Sequence, residues 1–180
     1  LRAVEKKFPG VRALKSVDFS ISRGEIVGLV GENGAGKSTL MKVIYGAYQP
    51  DGGEILIDGK PVRFSGPRDA MERGIGMVFQ EQSLITNLSV MENIFLGYED
   101  QFSRFGVVNW KAMAKAARKQ LAKVKLDIDP RTTPPSLSFA QRQLVELAKV
   151  LTLEERVQGH LVVLLDEPTS VLAEEEVKLL

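Results

Sequence analysis

The sequence predicts an α/β fold in which a core with a parallel sheet carries an antiparallel β subdomain and a helical insert subdomain. Three observations point there. Two continuous apolar runs, residues 26–30 and 161–165, lie far apart in the chain, as strands buried on both faces of a parallel sheet do. Two shorter stretches alternate apolar with polar residues, the pattern of half-exposed strands. Between the two apolar runs the spacing changes to the helical period.

The first alternating stretch is residues 17–22, and the second is 54–58, which follows the turn-forming Pro50, Asp51, Gly52 and Gly53. Both are expected in the antiparallel sheet. The run 26–30 is bounded by Gly24 and Gly31, so it reads as a short buried strand that ends abruptly. Farther on, Asn109 is a candidate N-cap, with Met113, Ala117, Leu121 and Val124 recurring at helical spacing up to Leu126. The opposite side carries Lys111, Lys115, Arg118, Lys119 and Lys123, read as a solvated face. Asp129, Pro130, Thr133, Pro134 and Pro135 break the chain, and a second helix starts at Ser138, with Gln141 completing a capping box and Leu144, Leu147, Ala148 and Leu151 on its buried side. The expected division is a core with its β subdomain in 1–83 and 154–180, and a helical subdomain in 84–153.

Composition sets outer limits. The chain has 180 residues, 44% of them hydrophobic and 26% charged, enough to bury one sizeable core. A formal net charge of +1 offers no broad attraction to a polyanion, so nucleic acid is not an expected partner. There is no cysteine, which excludes disulfides and thiolate metal sites and suits a reducing compartment. The apolar runs fall far short of the roughly 20 residues that span a bilayer, and no signal-peptide pattern opens the chain. Any membrane role is therefore expected to run through a partner.

The strongest chemical signal is Gly31, Glu32, Asn33, Gly34, Ala35, Gly36, Lys37, Ser38 and Thr39, which satisfies G-x-x-x-x-G-K-[ST] between a predicted strand and a predicted helix. The glycines let the backbone close round phosphate oxygens, amide N–H groups point inward, and the helix start adds its positive end. Lys37 is expected to reach the β- and γ-phosphates of ATP, and the Ser38 hydroxyl to ligate Mg²⁺. Asp166 and Glu167 end the second apolar run, at the strand edge where open α/β sheets bind ligands. Asp166 is a candidate metal ligand. Glu167 is the candidate base that polarises the attacking water.

With these residues in view, the chain resembles the ATP-binding cassette family over nearly its whole length. Lys37 closes a Walker A motif, and Gln80, after Gly76, Met77, Val78 and Phe79, looks like the Q-loop glutamine. Leu137, Ser138, Phe139, Ala140 and Gln141 look like the signature, and residues 164–169 like Walker B. The resemblance implies that Phe8 stacks on adenine. It also implies that Gln80 approaches both Mg²⁺ and the attacking water beside a docking permease, and that Ser138 and Gln141 present a helix N-terminus to ATP held by a second cassette. More narrowly, residues 8–14, Gln80 with Glu81, and 92–97 are similar to the N-terminal cassette of bacterial sugar importers of the ribose, xylose and galactoside type. That likeness implies a C-terminally truncated piece of a two-cassette chain. Such a piece would lie peripherally on the cytoplasmic face of the inner membrane, under a permease fed by a periplasmic sugar-binding protein.

Three departures qualify the resemblance. Phe139 and Ala140 stand where the family usually has two glycines, so a weakened half-site is expected. Ala173 replaces the usual aspartate after Walker B, and the single histidine, His160, precedes the Walker B run and so is not the family's switch histidine. Poor hydrolysis by this stretch alone is the resulting expectation. The competing readings are a soluble cassette acting on a macromolecule and a degenerate regulatory cassette; the sugar itself is not written in these residues.

Overall fold

The computed structural model of the chain describes residues 1–79, 83–157 and 159–166. The chain divides into two compact units. Of these residues, the first holds Leu1–Gly76 with Val157–Leu164, and the second holds Met77–Arg156 together with Leu165 and Asp166.

In the first unit, strands β1 (Arg2–Phe8), β2 (Val11–Val17), β3 (Gly52–Ile57) and β4 (Lys60–Val62) form an antiparallel sheet in the order β2-β1-β3-β4. Val4 faces Val17 and Phe8 faces Val11 across the first hairpin. The β1–β3 pairing shifts register between Arg2 and Glu5. Gly53 makes that irregularity possible: its φ is 77°, and a Cβ there would come within 2.3 Å of the Ala3 carbonyl oxygen. Helices α1 (Lys37–Ile44) and α2 (Pro67–Glu72) complete the unit. Val4, Leu14, Leu40, Val43, Ile55, Phe64, Ala70 and Ile75 form its core.

The second unit is helical: α3 (Val90–Ile94), α4 (Trp110–Lys123) and α5 (Phe139–Leu151), with a small hairpin of β6 (Ser103–Arg104) and β7 (Val107–Val108). Its core gathers Ile94, Met113, Ala117, Leu121, Val145 and Ala148, all at most 2% exposed. Each helix start is satisfied locally. Ser89 with Glu92, and Ser138 with Gln141, form capping boxes on α3 and α5, while the Asn109 side chain accepts from the Ala112 N–H on α4. The proline-rich break also has a purpose here: the carbonyls of Pro130 and Thr132 accept the otherwise orphaned N–H groups of Met91 and Val90 at the start of α3.

Strand β5 (Ile75–Val78) pairs with β8 (Val162–Leu165). The Val162 N–H donates to the Gly74 carbonyl and the Asp166 N–H to the Val78 carbonyl, so both strands advance together and the pair is parallel.

Three expectations for strands are corrected. Residues 26–30 form no regular strand; Ile26 is 99% and Val30 97% exposed, and only Leu29 packs against the first core. The run is apolar enough for a two-faced strand, but among the described residues no neighbour supplies a ladder, and an unpaired segment cannot be a strand. The strand expected at 17–22 lies earlier, at β2. The hairpin register extends β2 back to Val11, and residues 18–22 leave the ladder. Finally, β8 is half-buried rather than covered on both faces, with Leu165 41% exposed. No helix of the described residues is long and apolar enough to cross a membrane.

Candidate functional site

In the first unit, residues 31–36 turn out of the apolar run directly into α1. The Glu32 carbonyl accepts the Ala35 N–H at 3.1 Å, closing a tight turn, and the Gly36 carbonyl accepts the Leu40 N–H at 2.8 Å, which commits the next residues to helix. Gly36 caps α1 in the left-handed conformation, at φ 93°. A Cβ at this position would meet the Ala13 carbonyl oxygen at 2.7 Å and Leu14 at 3.2 Å, so only glycine fits. Gly31, Asn33, Gly34 and Ala35 are exposed, and Lys37, Ser38 and Thr39 half-buried. The loop is open to a ligand. No acidic residue occupies the first turn of α1, so nothing anionic competes for its positive end. The Lys37 ammonium folds back onto the Gly31 and Glu32 carbonyl oxygens, at 2.7 and 2.9 Å. These neutral acceptors hold the cation over the loop without cancelling its charge.

Phe8 ends β1, 36% exposed. Its ring meets Tyr48 edge to face at 5.3 Å, and the Lys6 ammonium lies 5.6 Å from its centroid. Tyr48 braces the ring while leaving part of it available for stacking.

In the second unit, Asp166 follows β8 and is only 6% exposed, its position fixed by the backbone bond to Val78. Ser138 is exposed at the start of α5, where its N–H donates to Gln141 Oε1 at 2.9 Å and its Oγ accepts the Gln141 N–H at 3.2 Å. The box leaves the amides of Phe139 and Ala140 as the first-turn donors without intrahelical acceptors. Phe139 is half-buried and Ala140 buried. Gln80 and Glu167 lie outside the described residues, as does Ala173.

Sequence reasoning missed two buried polar anchors in this unit. Glu146 on α5, 4% exposed, accepts the Ser83 N–H at 2.5 Å. Burial pushes its carboxyl above the ordinary range, with the Ser83 N–H and Lys149 acting in the opposite sense. Burial likewise lowers Lys149 below the usual lysine value. Asn93, fully buried, accepts the Ile85 N–H at 2.7 Å and donates to the carbonyls of Ile85, Leu88 and Ser89. Polar residues on the buried side of α3 and α5 were the available signal. The basic face of α4 is the solvated surface expected, with Lys119 and Lys123 paired to Glu154 and Glu155. His160 is exposed.

In the first unit, the glycine loop, the Lys37 ammonium and the start of α1 suit an anion, and Ser38 is an oxygen donor of the kind Mg²⁺ prefers. In the second unit, Asp166 is a carboxylate of the same hard-donor class. No cluster of three or more His, Cys, Asp or Glu side chains that could hold a metal ion occurs among the described residues.

Comparison with known proteins agrees. Residues 14–170 match the family described as ABC transporter. A ribose import ATP-binding protein of Rubrobacter xylanophilus is 48% identical over 178 residues, covering 99% of this chain and 34% of the relative. A galactose/methyl galactoside import ATP-binding protein of Treponema pallidum is 44% identical over 177 residues, covering 98% of this chain and 34% of the relative. The chain thus spans about a third of the length of these curated relatives. Among solved structures, the ATP-binding cassette MJ0796, bound to ADP and phosphate in a dimeric post-hydrolysis state, matches with a TM-score of 0.78 at 28% identity, covering 99% of this chain and 77% of that one. CbiO1 from Clostridium perfringens, part of an ABC transporter complex, matches with a TM-score of 0.77 at 29% identity, covering 98% of this chain and 68% of that one. With a family match running from the first hairpin through the Walker B run, the chain belongs to the ABC transporter family of ATP-binding cassettes.

Proposed function

We propose that this chain binds Mg²⁺-ATP in the loop 31–39 and hydrolyses it to ADP and phosphate, driving import of a sugar through a partner permease. The observation that carries the reading is the Gly36 turn into α1, which leaves no room for a side chain and holds Lys37 over open loop carbonyls. The sugar-import relatives, alike over nearly the whole chain, support the transport half.

In this reading the amides of Gly34, Ala35 and Gly36 and the Lys37 ammonium bind the β- and γ-phosphates, with Gly31, Asn33 and Thr39 shaping the cradle. Phe8 stacks on adenine. Ser38, Asp166 and Gln80 hold Mg²⁺, which when bound neutralises charge building on the phosphates. Glu167 accepts a proton from the water that attacks the γ-phosphate, and Gln80 orients that water. Ser138 and Gln141 present the α5 start to nucleotide on a second cassette. The ATP-binding core comprises 1–83 and 154–180, and the helical subdomain 84–153. The permease docks near Gln80, a periplasmic sugar-binding protein feeds it, and the cassette lies peripherally on the cytoplasmic face of the inner membrane.

Calorimetric titration of Mg²⁺-ATP into the protein and its Lys37→Ala variant tests the reading. Binding by the parent that falls at least about tenfold in the variant, a loss of about 1.4 kcal/mol, is expected. A folded parent that binds no nucleotide would overturn it.

A further inference from the structure

We propose that Tyr48 is a positioning residue for the nucleotide base: it holds the Phe8 ring at a fixed place relative to α1 and the glycine loop that opens that helix. The inference rests on the stacking role given to Phe8 under the proposed function. Phe8 ends β1 and pairs with Val11 across the turn of Pro9 and Gly10, the glycine at φ 75°. Two residues beyond Val11, the Ala13 carbonyl abuts Gly36, where a Cβ would meet it at 2.7 Å. Two residues of strand span roughly 7 Å. The ring and the glycine turn thus lie on one hairpin, at a separation that the sugar of a nucleotide bridges, and whatever fixes the ring fixes where a base can sit.

The sheet alone does not fasten this end of the hairpin. β1 parts from β3 after Glu5, which pairs with Gly52, and its ladder with β2 shifts register between Val4 and Lys6 and again between Lys6 and Lys7. The loop that leads from α1 to β3 takes over from there. The Asp51 N–H donates to the Glu5 carbonyl at 2.9 Å, the Lys6 ammonium to the Gln49 carbonyl at 2.7 Å, and the Lys7 N–H to the Asp51 carboxylate at 2.6 Å. Tyr48 supplies the last rung, its ring edge to face with Phe8 at 5.3 Å and 73°. It is itself tied to α1: its N–H donates to the Lys42 carbonyl at 3.1 Å, the Lys42 ammonium lies 5.8 Å from its ring centroid, and it packs against the first core. A partly exposed ring at a hairpin end loses rotamer freedom when a base stacks on it, and Tyr48 removes that freedom before the ligand arrives. Its contribution therefore belongs in affinity for the base and not in affinity for phosphate.

Calorimetric titration of Mg²⁺-ATP, and of Mg²⁺-tripolyphosphate, which has no base, into the parent protein and its Phe8→Ala, Tyr48→Leu and Tyr48→Phe variants tests the proposal. Tyr48→Leu keeps apolar bulk and loses the ring. It is expected to weaken ATP binding about fivefold, equivalent to about 1 kcal/mol, with tripolyphosphate binding within about twofold of the parent. Tyr48→Phe keeps the ring edge and is expected to bind both ligands within about twofold of the parent. Parent-like ATP affinity in Tyr48→Leu overturns the proposal. So does an equal loss for both ligands, which a general loosening of the unit would give, and so does a Tyr48→Phe variant as impaired as Tyr48→Leu. Should the leucine variant not fold, nuclear Overhauser contacts in the parent's Mg²⁺-ATP complex decide: contacts from the Phe8 ring to both adenine and Tyr48 uphold the proposal, and a Phe8 ring that touches adenine without Tyr48 overturns it. A parent that binds neither ligand removes the proposed function and this inference together. If Phe8→Ala binds ATP as the parent does, the stacking role of Phe8 fails and the inference with it, while nucleotide binding at 31–39 stands.

Discussion

At Gly36 the glycine loop meets the first hairpin so closely that the Ala13 carbonyl occupies the space a methyl group would need. Gly36→Ala therefore combines left-handed backbone strain of about 1 to 2 kcal/mol with a direct clash. The expected result is a folded protein, by circular dichroism, whose Mg²⁺-ATP affinity in calorimetry is at least about tenfold lower. Elsewhere in the unit, Asp51 accepts the Lys7 N–H at 2.6 Å and pairs with Lys6 at 3.2 Å. The Lys7 N–H, then Lys6, hold its carboxyl below the ordinary 3.8. A depressed carboxylate binds fewer protons in the folded state, so its stabilisation is present above 3.8 and lost as pH falls through the folded value. Chemical denaturation of Asp51→Asn should show reduced stability at neutral pH, and the gap to the parent should close in strong acid. The glycine turn into α1 was legible from sequence because it is local: nine consecutive residues, Gly31 to Thr39, contain the turn and the helix start. Glu146 was not, because its partner Ser83 is 63 residues away and no spacing rule links them.

Elements were legible in proportion to how much of their stability is written beside them. The start of α5 is fixed by Ser138 and Gln141, three positions apart, and the sequence placed it at the residue where the structure has it. Asn109 did the same for α4. Ser138→Ala should cost about 1 kcal/mol in denaturant unfolding, from loss of the side-chain acceptor for the Gln141 N–H. A change below a few tenths would mean that the box is not closed in solution. Strands fared worse because their bounds depend on partners. Alternation at residues 17–22 is as good as that of β2, but the hairpin closes at Phe8 and Val11, so the ladder is spent by Val17.

For the molecule as a whole, two hydrophobic clusters with no member in common account for the two units. Composition alone suggested only one sizeable core; the second follows from the helical spacing between the apolar runs. What neither composition nor spacing could fix is whether an apolar segment finds a neighbour. Residues 26–30 show this at full strength, since Ile26 and Val30 are almost wholly solvent-exposed while Leu29 alone reaches the core. Backbone with no ladder partner among the described residues, and with exposed β-branched side chains, is the kind of edge that recruits another strand. Replacing Ile26 and Val30 together by threonine keeps the branched shape and removes apolar surface. The pair should change unfolding free energy by no more than about 0.5 kcal/mol per site, the range for surface substitutions. Sedimentation should show less concentration-dependent association than in the parent. A loss nearer 2 kcal/mol per site, the magnitude for a buried aliphatic, would instead show that another strand covers this run in the folded protein.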